Sequence, residues 1–175
     1  MKAARGAPKL AAMIRHARTA DHPAIREINE TAFGKDDEAR LIEALRANGD
    51  VMFELVAEAE GALVGHILFS RLWADRTGLI AALAPMAVWP GHQRRGLGGR
   101  LIETGIDTCR DFGAHAIVVL GHPDYYPRFG FSAEAARLIS SPYSGSPAFM
   151  AMELERGALA DPMSVAYPDP FSAAG

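Results

Sequence analysis

Gln93-Arg94-Arg95-Gly96-Leu97-Gly98-Gly99 is a basic, glycine-rich stretch in the middle of the sequence. The segment before it, 79–88, is short and apolar and ends at turn residues, which is typical of a β-strand. The apolar residues after it recur at helical spacing as far as Phe112. The stretch therefore predicts the order strand, glycine loop, helix, and the neighbouring elements are best interpreted around this unit.

The first turn of a helix that follows such a loop favours an anion. Its N–H groups lack partners within the helix, and the helix dipole places partial positive charge there. Gly96, Gly98 and Gly99 leave the backbone open to close approach, while Arg94 and Arg95 add positive charge. A phosphate or pyrophosphate group is the expected ligand. A glycine loop alone is more often an ordinary turn with solvated arginines. The surrounding motif is therefore needed to distinguish a phosphate-binding loop from such a turn.

Two common phosphate-binding motifs fail in this stretch. Gly91 and Gly96 have the spacing of a Walker loop, but Leu97 and Gly98 stand where that loop needs Lys and Ser or Thr. The dinucleotide fingerprint would need a glycine in place of Leu101. Both classes of nucleotide-binding protein are therefore disfavoured. The pattern that fits is Gln/Arg-x-x-Gly-x-Gly/Ala.

Residues 86–102 carry this pattern and resemble the GNAT superfamily of acyl-CoA-dependent N-acyltransferases. A second segment, Tyr125-Tyr126-Pro127-Arg128-Phe129-Gly130-Phe131, resembles the aromatic-Tyr-x-x-x-Gly-Phe ending of that family. With Leu120-Gly121-His122-Pro123 before it, the sequence is most similar to the YhbS-type branch of predicted N-acetyltransferases. In element order the resemblance extends over residues 13–171, and these segments are its specific part.

Read in order, the chain predicts a mixed α/β fold. Strands are expected at 13–18, 52–58, 62–73, 79–88, 116–120, 129–132 and 148–154, with helices that end at Gly34, at Gly49 and near Phe112. The helix between 79–88 and 116–120 predicts a parallel pair, with a ligand at the carboxyl ends of its strands. The resemblance implies a GNAT-type, mostly antiparallel sheet in which this central pair splays apart, flanked by helices. Segment 140–147 is expected to be a loop and 161–175 an irregular tail.

The resemblance implies that the chain uses acetyl-CoA as acyl donor. The residues that it assigns to cofactor binding are Met86, Ala87, Val88, Gln93, Arg94, Arg95, Gly96, Leu97, Gly98 and Gly99. Met86 and Val88 would contribute main-chain groups, and the backbone N–H of Val88 is the expected donor to the thioester carbonyl or oxyanion. The side chains of this strand can pack in the core at the same time, because the assigned role uses only its backbone groups.

Tyr126 lies four residues before Gly130, where the family usually has its catalytic tyrosine. A phenol with a pKa of ~10 is protonated at neutral pH and can give a proton to a leaving thiolate. Tyr126 could instead be a packing aromatic beside Tyr125 and Phe129. Pro127 departs from the commoner family pattern and favours an extended backbone at Tyr126. The Asn that many relatives carry upstream is also absent.

The sequence identifies no single residue as the general base, and it offers one cysteine as a possible covalent carrier of the acyl group. His66 and His122 are candidate bases by residue type, and a water chain to a carboxylate is an equal alternative. Cys109 falls on the apolar face of its helix, which indicates a buried, inert thiol and direct transfer to the amine. No metal site is expected, since the six histidines lack ligand spacing and one cysteine cannot anchor zinc.

Composition fits a soluble, cytoplasmic globular protein. The 175 residues predict a single domain at 13–175, preceded by a basic, Ala-rich extension at 1–12 that lacks the apolar region of a secretory signal. A net charge of −3 gives no indication of a general nucleic-acid or membrane surface, and neither partner is expected. The single cysteine fits a reducing compartment.

The predicted function is transfer of an acetyl group from acetyl-CoA directly to a primary amine of a small molecule or peptide. An acyl-CoA-binding sensor or partner module without catalysis is the alternative. In the family the acceptor is shaped by the first helices, here 21–48, and by the last strands and loops, which could also support a homodimer. Acidic residues on the second helix favour a cationic amine or form an ordinary solvated face: Asp36, Asp37, Glu38 and Glu43.

Overall fold

The computed structural model describes residues 11–173. Its strands are β1 (Met13–His16), β2 (Val51–Ala59), β3 (Ala62–Ala74), β4 (Leu79–Val88), β5 (Ala114–Leu120), β6 (Ile139–Ser140), β7 (Phe149–Glu153) and β8 (Met163–Ala166). Its α-helices are α1 (His22–Phe33), α2 (Asp37–Asn48), α3 (Leu97–Asp111) and α4 (Pro170–Ala173). Short 3-10 turns lie at Thr19–Asp21, Pro90–His92 and Tyr126–Phe129.

The strands form one sheet in the order β1-β2-β3-β4-β5-β7, with β8 joined to β3 and to β6. Its main pairs are antiparallel except for β4 with β5, which the crossover helix α3 makes parallel. The predicted fold class, a mostly antiparallel mixed sheet with a central parallel pair and flanking helices, is confirmed.

The central parallel pair separates at its carboxyl end. Strand β4 pairs with β5 only as far as Leu83 opposite Val119, whereas its other edge pairs with β3 up to Val88 opposite Gly65. A bulge accompanies the separation, because two residues of β4, Ala84 and Pro85, stand opposite the single residue Leu68 of β3. One edge of 84–88 is thereby left without a strand partner among the described residues.

Helix α3 packs on one face of the sheet through the apolar stripe that the sequence predicts. Its buried residues are Leu97, Leu101, Ile102, Gly105, Ile106 and Cys109. They join the fully buried Ile67 and Phe69 of β3 in the largest core cluster. Gly105 is a tight contact, since a Cβ there would lie 2.4 Å from Cε2 of the Phe69 ring.

Replacing Gly105 by Ala is expected to destabilise the protein. Overpacking a core costs about 1–3 kcal/mol, while Gly→Ala in a helix interior gains at most about 1 kcal/mol. The net expectation is a loss of roughly 1–2 kcal/mol in urea unfolding. Gly91→Ala is the matched control, because a Cβ there comes no nearer than 3.9 Å to another residue. Equal stability of the two variants would contradict the packing account.

The opposite face of the sheet carries α1 and α2. Both helices end where predicted, with Gly34 and Gly49 in left-handed conformation at φ 71° and 75°. Ile25 of α1 and Ile42 and Leu45 of α2 pack on alternate residues of β2 and β3. These helices therefore cover the sheet beside the point where β4 and β5 separate.

The C-terminal part corrects three expectations. Strand 129–132 does not form: Phe129 ends a 3-10 turn, Gly130 at φ 102° redirects the chain, and Ser132 makes only an isolated bridge to Ala151. The segment expected as the last strand, β7, is followed by β8. The tail 161–175 is therefore not irregular throughout, because Met163 and Val165 turn inward in β8 and α4 follows. Ser140, expected in a loop, belongs to β6.

The N-terminal extension predicted at 1–12 falls largely outside the described residues, and only Ala11 and Ala12 precede β1. Arg100 of α3 donates a hydrogen bond from Nη2 to the carbonyl of Ala12 at 2.6 Å. The single domain at 13–175 stays a prediction. Within residues 11–173 no helix is long and apolar enough to cross a membrane.

Candidate active site

A groove of about 690 Å³ opens where β4 leaves β5. Its floor is the unpaired edge of β4 at Met86–Val88, and one wall is the start of α3. Phe129, on the 3-10 turn, and Phe33, at the end of α1, close the sides. The sequence builds this groove because a parallel pair that separates leaves backbone groups without partners between its strands.

The glycine loop presents a helix N-terminus to the groove. Arg94 and Gly96 adopt left-handed conformations, at φ 58° and 79°, and Gly96 stands directly before α3. No side chain caps the helix, so its first N–H groups face the groove free of side-chain partners. Gln93 ties the loop to the strand, because its Nε2 donates to the carbonyl of Val88 at 3.0 Å. The arrangement fits a phosphate-bearing ligand.

Gly98 and Gly99 bring the helix backbone close to aromatic side chains. A Cβ at Gly98 would lie 3.1 Å from the Tyr125 hydroxyl, and one at Gly99 would lie 3.4 Å from the Phe129 ring. Met86 reaches the same point, with its Cε 3.5 Å from a Cβ at Gly98. Any larger residue at Gly98 would therefore fill the middle of the groove.

Most residues that the sequence assigns to cofactor binding line this groove. They are Met86, Ala87, Val88, Gln93, Arg94, Gly96, Leu97, Gly98 and Gly99. Arg95 is the exception and does not contribute to the lining. The groove also includes residues that sequence reasoning did not assign to it: Ala32, Phe33, Tyr125, Arg128 and Phe129. Arg128 was visible in the Tyr-Tyr-Pro-Arg-Phe-Gly-Phe segment as a cation beside a cofactor motif.

A second cavity of about 600 Å³ lies beyond the groove, past the separating strands. Phe33, Met86 and Tyr125 line both spaces, so the two are neighbours with a shared wall. Tyr126 lines only the second cavity. A groove for one ligand therefore adjoins a cavity for another.

Tyr126 is held against the end of β5. A Cβ at Gly121 would lie 2.3 Å from Cε2 of its ring, so only glycine admits the ring there. The ring also meets Phe131 and Tyr125 edge-on, with centroids 5.8 and 5.3 Å away. Burial raises the pKa of Tyr126 to about 12. Its backbone begins a 3-10 turn, so the extended conformation expected before Pro127 does not form.

Tyr125 occupies the junction of the two spaces. Its hydroxyl faces Gly98, and the guanidinium of Arg128 lies 4.6 Å from the centre of its ring. Burial raises its pKa as well. Sequence reasoning gave Tyr125 only a packing role, because the family pattern points to the next residue.

The two histidines considered as bases have different surroundings. His66 is fully buried among Glu54 and Asn29 and lines neither the groove nor the second cavity. Burial lowers the pKa of His66 despite the neighbouring Glu54 carboxylate. His122 is exposed and lines the second cavity. Of the two, only His122 faces a space that a ligand can enter.

Cys109 is fully buried, and burial raises its pKa to about 12. A thiol that stays protonated is a poor nucleophile, which fits direct transfer. Among residues 11–173, no group of three or more His, Cys, Asp and Glu side chains could hold a metal ion.

Comparison with known proteins agrees with this architecture. The acetyltransferase (GNAT) family matches residues 13–131. YjhQ of Escherichia coli strain K12, named an uncharacterized N-acetyltransferase, is 45% identical over 112 residues, which are 61% of this chain and 62% of YjhQ. YhbS of the same strain, also named an uncharacterized N-acetyltransferase, is 36% identical over 117 residues, 66% of this chain and 70% of YhbS. The match to YjhQ thus spans less than two thirds of that relative's length.

Solved structures extend the likeness along the chain. The crystal structure of Escherichia coli YhbS in complex with CoA has 31% identity and a TM-score of 0.87, with 96% of both chains covered. A GNAT family acetyltransferase from Brucella melitensis, in complex with acetyl-CoA, has 32% identity and a TM-score of 0.76, covering 91% of this chain and 97% of that one. The resemblance to the YhbS-type branch is confirmed, and the chain belongs to the acetyltransferase (GNAT) family.

Proposed function

We propose that this protein is an acyl-CoA-dependent N-acetyltransferase that moves an acetyl group from acetyl-CoA directly to a primary amine. The observation that carries the proposal is the groove between the unpaired edge of β4 and the glycine loop, which adjoins a second cavity lined by the separating strands β4 and β5. A donor and an acceptor can thereby meet where the two spaces adjoin. The solved relatives that bind CoA and acetyl-CoA support the choice of donor.

The residues of the groove fit the parts of acetyl-CoA. The open N-terminus of α3 offers N–H donors for the pyrophosphate, and Arg94 and Arg128 add charge at the groove. The unpaired edge of β4 at Met86–Val88 can pair with the amides of the pantetheine arm. The absence of a side chain at Gly98 lets Tyr125 and Met86 lie close to the helix backbone without filling the groove further. Arg95 has no proposed contact in this scheme.

The reaction requires a deprotonated amine. An alkylammonium with a pKa of ~10 loses one proton to solvent or to a base such as His122. The nitrogen lone pair then attacks the thioester carbon, and the carbon–sulfur bond breaks with its electron pair on sulfur. The nitrogen gives up its second proton, and the thiolate takes up one proton. Ammonium and acetyl-CoA thus give amide, CoA thiol and one released proton. We assign the backbone N–H of Val88 to the developing oxyanion and Tyr126 to the sulfur.

Acetyl-CoA is expected to raise the melting temperature, whereas ATP and NAD leave it unchanged. A ligand present at 100 times its dissociation constant adds about 2.7 kcal/mol to the stability of the native state. Gly98→Val should abolish the shift, because the added methyl groups project toward Tyr125 and Met86 in the groove. Gly91→Val, in the same loop but outside the groove, is the matched control and should keep the shift.

A melting temperature that responds equally to ATP and to acetyl-CoA would contradict a dedicated CoA groove. An equal loss of the shift in both glycine variants would contradict the assigned location. Binding of acetyl-CoA without thiol release from any amine would instead indicate a sensor or partner module.

A further inference from the structure

The second cavity shows which chemistry its ligand must have. One side is formed by the separating strands, at Pro85 of β4 and Leu120 of β5, and Leu41 of α2 also lines the cavity. Its far side consists of Tyr143, Tyr167 and Phe171. These aromatic residues lie beyond residue 131, where the match to the acetyltransferase family ends. The far wall therefore belongs to a part of the chain that the family does not define.

The far wall is a continuous aromatic surface. Tyr143 and Tyr167 meet edge-on with ring centroids 5.3 Å apart, and Tyr167 and Phe171 do so at 5.1 Å. Burial raises the pKa of Tyr167, so this buried phenol stays neutral at physiological pH. Tyr167 directly follows strand β8 and Phe171 lies in helix α4, so the C-terminal segment contributes to the lining of the cavity. Such a surface favours an apolar or aromatic body and attracts cations to its ring faces.

Glu38 is the one carboxylate among the described residues that line the cavity. Its Oε2 is buried and has no hydrogen-bond partner. Its Oε1 has only Lys35, whose Nζ is 3.7 Å away and lies closer to Asp37, at 2.9 Å. Oε2 therefore lacks a partner that stabilises the charge, and Oε1 has only a long contact with a shared lysine. A cationic group on a ligand would supply such a partner.

The other acidic residues of α2 have partners already. The pairs are Asp36 with Arg40, Asp37 with Lys35, and Glu43 with Arg26. Their side chains are 39–53% exposed, against 21% for Glu38. Of the acidic residues that the sequence associates with a cationic amine, the structure thus singles out one, and the rest form an ordinary solvated face.

We propose that the acceptor is a hydrophobic monoamine, whose ammonium form pairs with Glu38 and whose aromatic or bulky apolar body packs on Tyr143, Tyr167 and Phe171. This proposal rests on the proposed acetyltransferase function. One carboxylate matches one positive charge, which disfavours polyamines. The aromatic wall disfavours small zwitterions, which would have to leave polar groups unpaired there.

The test compares 2-phenylethylamine, spermidine and glycylglycine by CoA thiol release at saturating acetyl-CoA. We expect kcat/KM for 2-phenylethylamine to exceed the others by about ten-fold or more. Glu38→Gln should raise its KM by about ten-fold with kcat little changed, because the lost interaction is made before the chemical step. Glu43→Gln is the matched control on the same helix, because Glu43 pairs with Arg26 outside the cavity, and it should stay within about two-fold.

Calorimetric binding to the CoA-loaded protein separates this proposal from the proposed function. The pocket is supported if 2-phenylethylamine binds more tightly than its neutral isostere 2-phenylethanol and Glu38→Gln removes the difference, even if no amine is acetylated. The proposal is overturned if spermidine or glycylglycine is the preferred acceptor, in which case the acetyltransferase function stands. It is also overturned if neither phenethyl compound binds, or if both variants behave alike.

Discussion

Tyr126→Phe is expected to lower kcat by about ten-fold or more while leaving acetyl-CoA affinity unchanged. The substitution removes the phenolic proton that we assign to the leaving thiolate and keeps the ring that packs on Gly121 and Phe131. Since burial raises the pKa of Tyr126 to about 12, the hydroxyl remains a donor throughout the usual assay range. Initial rates with the best amine, together with the acetyl-CoA melting shift, measure both quantities.

Tyr125→Phe is the matched control for this prediction. Both tyrosines border the second cavity, but only Tyr125 also lines the groove, with its hydroxyl beside Gly98. We therefore expect Tyr125→Phe to change the KM for acetyl-CoA more than kcat. A large loss of kcat in Tyr125→Phe with normal turnover in Tyr126→Phe would transfer the acid role to Tyr125. Normal kcat in both variants would remove tyrosine acid catalysis from the mechanism.

Glu54→Ala is expected to destabilise the protein by about 3–5 kcal/mol, the usual cost of breaking a buried charge pair. Glu54 is 9% exposed, and both of its oxygens accept hydrogen bonds from Arg46 at 2.8 Å. His66 Nε2 lies 2.7 Å from Glu54 Oε2, and Nδ1 lies 3.2 Å from Asn29 Nδ2. A neutral His66 that donates to Glu54 and accepts from Asn29 satisfies both contacts. The network links α1 and α2 to the sheet.

The same network predicts that stability falls in acid. Burial acts to raise the pKa of Glu54, but hydrogen bonds from His66 and Arg46 outweigh it and lower the pKa to about 2. The contribution of the Glu54 carboxylate to the free energy of unfolding is complete above its ordinary pKa of 4.5. This contribution is lost as the pH falls from there toward about 2. Burial also lowers the pKa of His66, so the unfolded chain takes up a proton below pH 6.5 that the native state resists. Both effects weaken the fold toward low pH.

Urea unfolding between pH 7 and pH 3 tests this account. Glu58→Ala is the matched control on the same strand, because Glu58 is 32% exposed and pairs with Arg15 at 3.2 Å. It should cost less than about 1 kcal/mol. If Glu54→Ala is no more costly than Glu58→Ala at pH 7, or loses stability as steeply as the wild type between pH 5 and pH 3, the account of the network is wrong.

The sequence predicts the fold well where the signal is local. Strand β4 is predicted with its full bounds, and α1 and α2 end at the glycines that adopt left-handed conformation. The β8–α4 segment could not be predicted, because a strand of four residues is stabilised by β3 and β6, which are distant in sequence. Local periodicity cannot report pairing of that kind.

The site was predictable as far as the motifs extend. The glycine loop and the edge of β4 carry local patterns, and most of their residues line the groove. The position of Tyr125 depends on a 3-10 turn whose geometry the pattern does not contain. The Glu54–His66 network had a weaker signal, namely a charged residue inside the otherwise apolar run 51–57, which is costly to bury unless it is paired. Its partners come from separate elements and only the fold brings them together.

The wall shared by the groove and the second cavity has a thermodynamic consequence. Phe33, Met86 and Tyr125 border both spaces. A molecule in the groove would therefore contact side chains that a molecule in the second cavity also contacts. Any factor by which a bound donor changes acceptor affinity must equal the factor by which the acceptor changes donor affinity. Coupling through these three side chains would therefore have the same magnitude whether it is measured from the donor or from the acceptor.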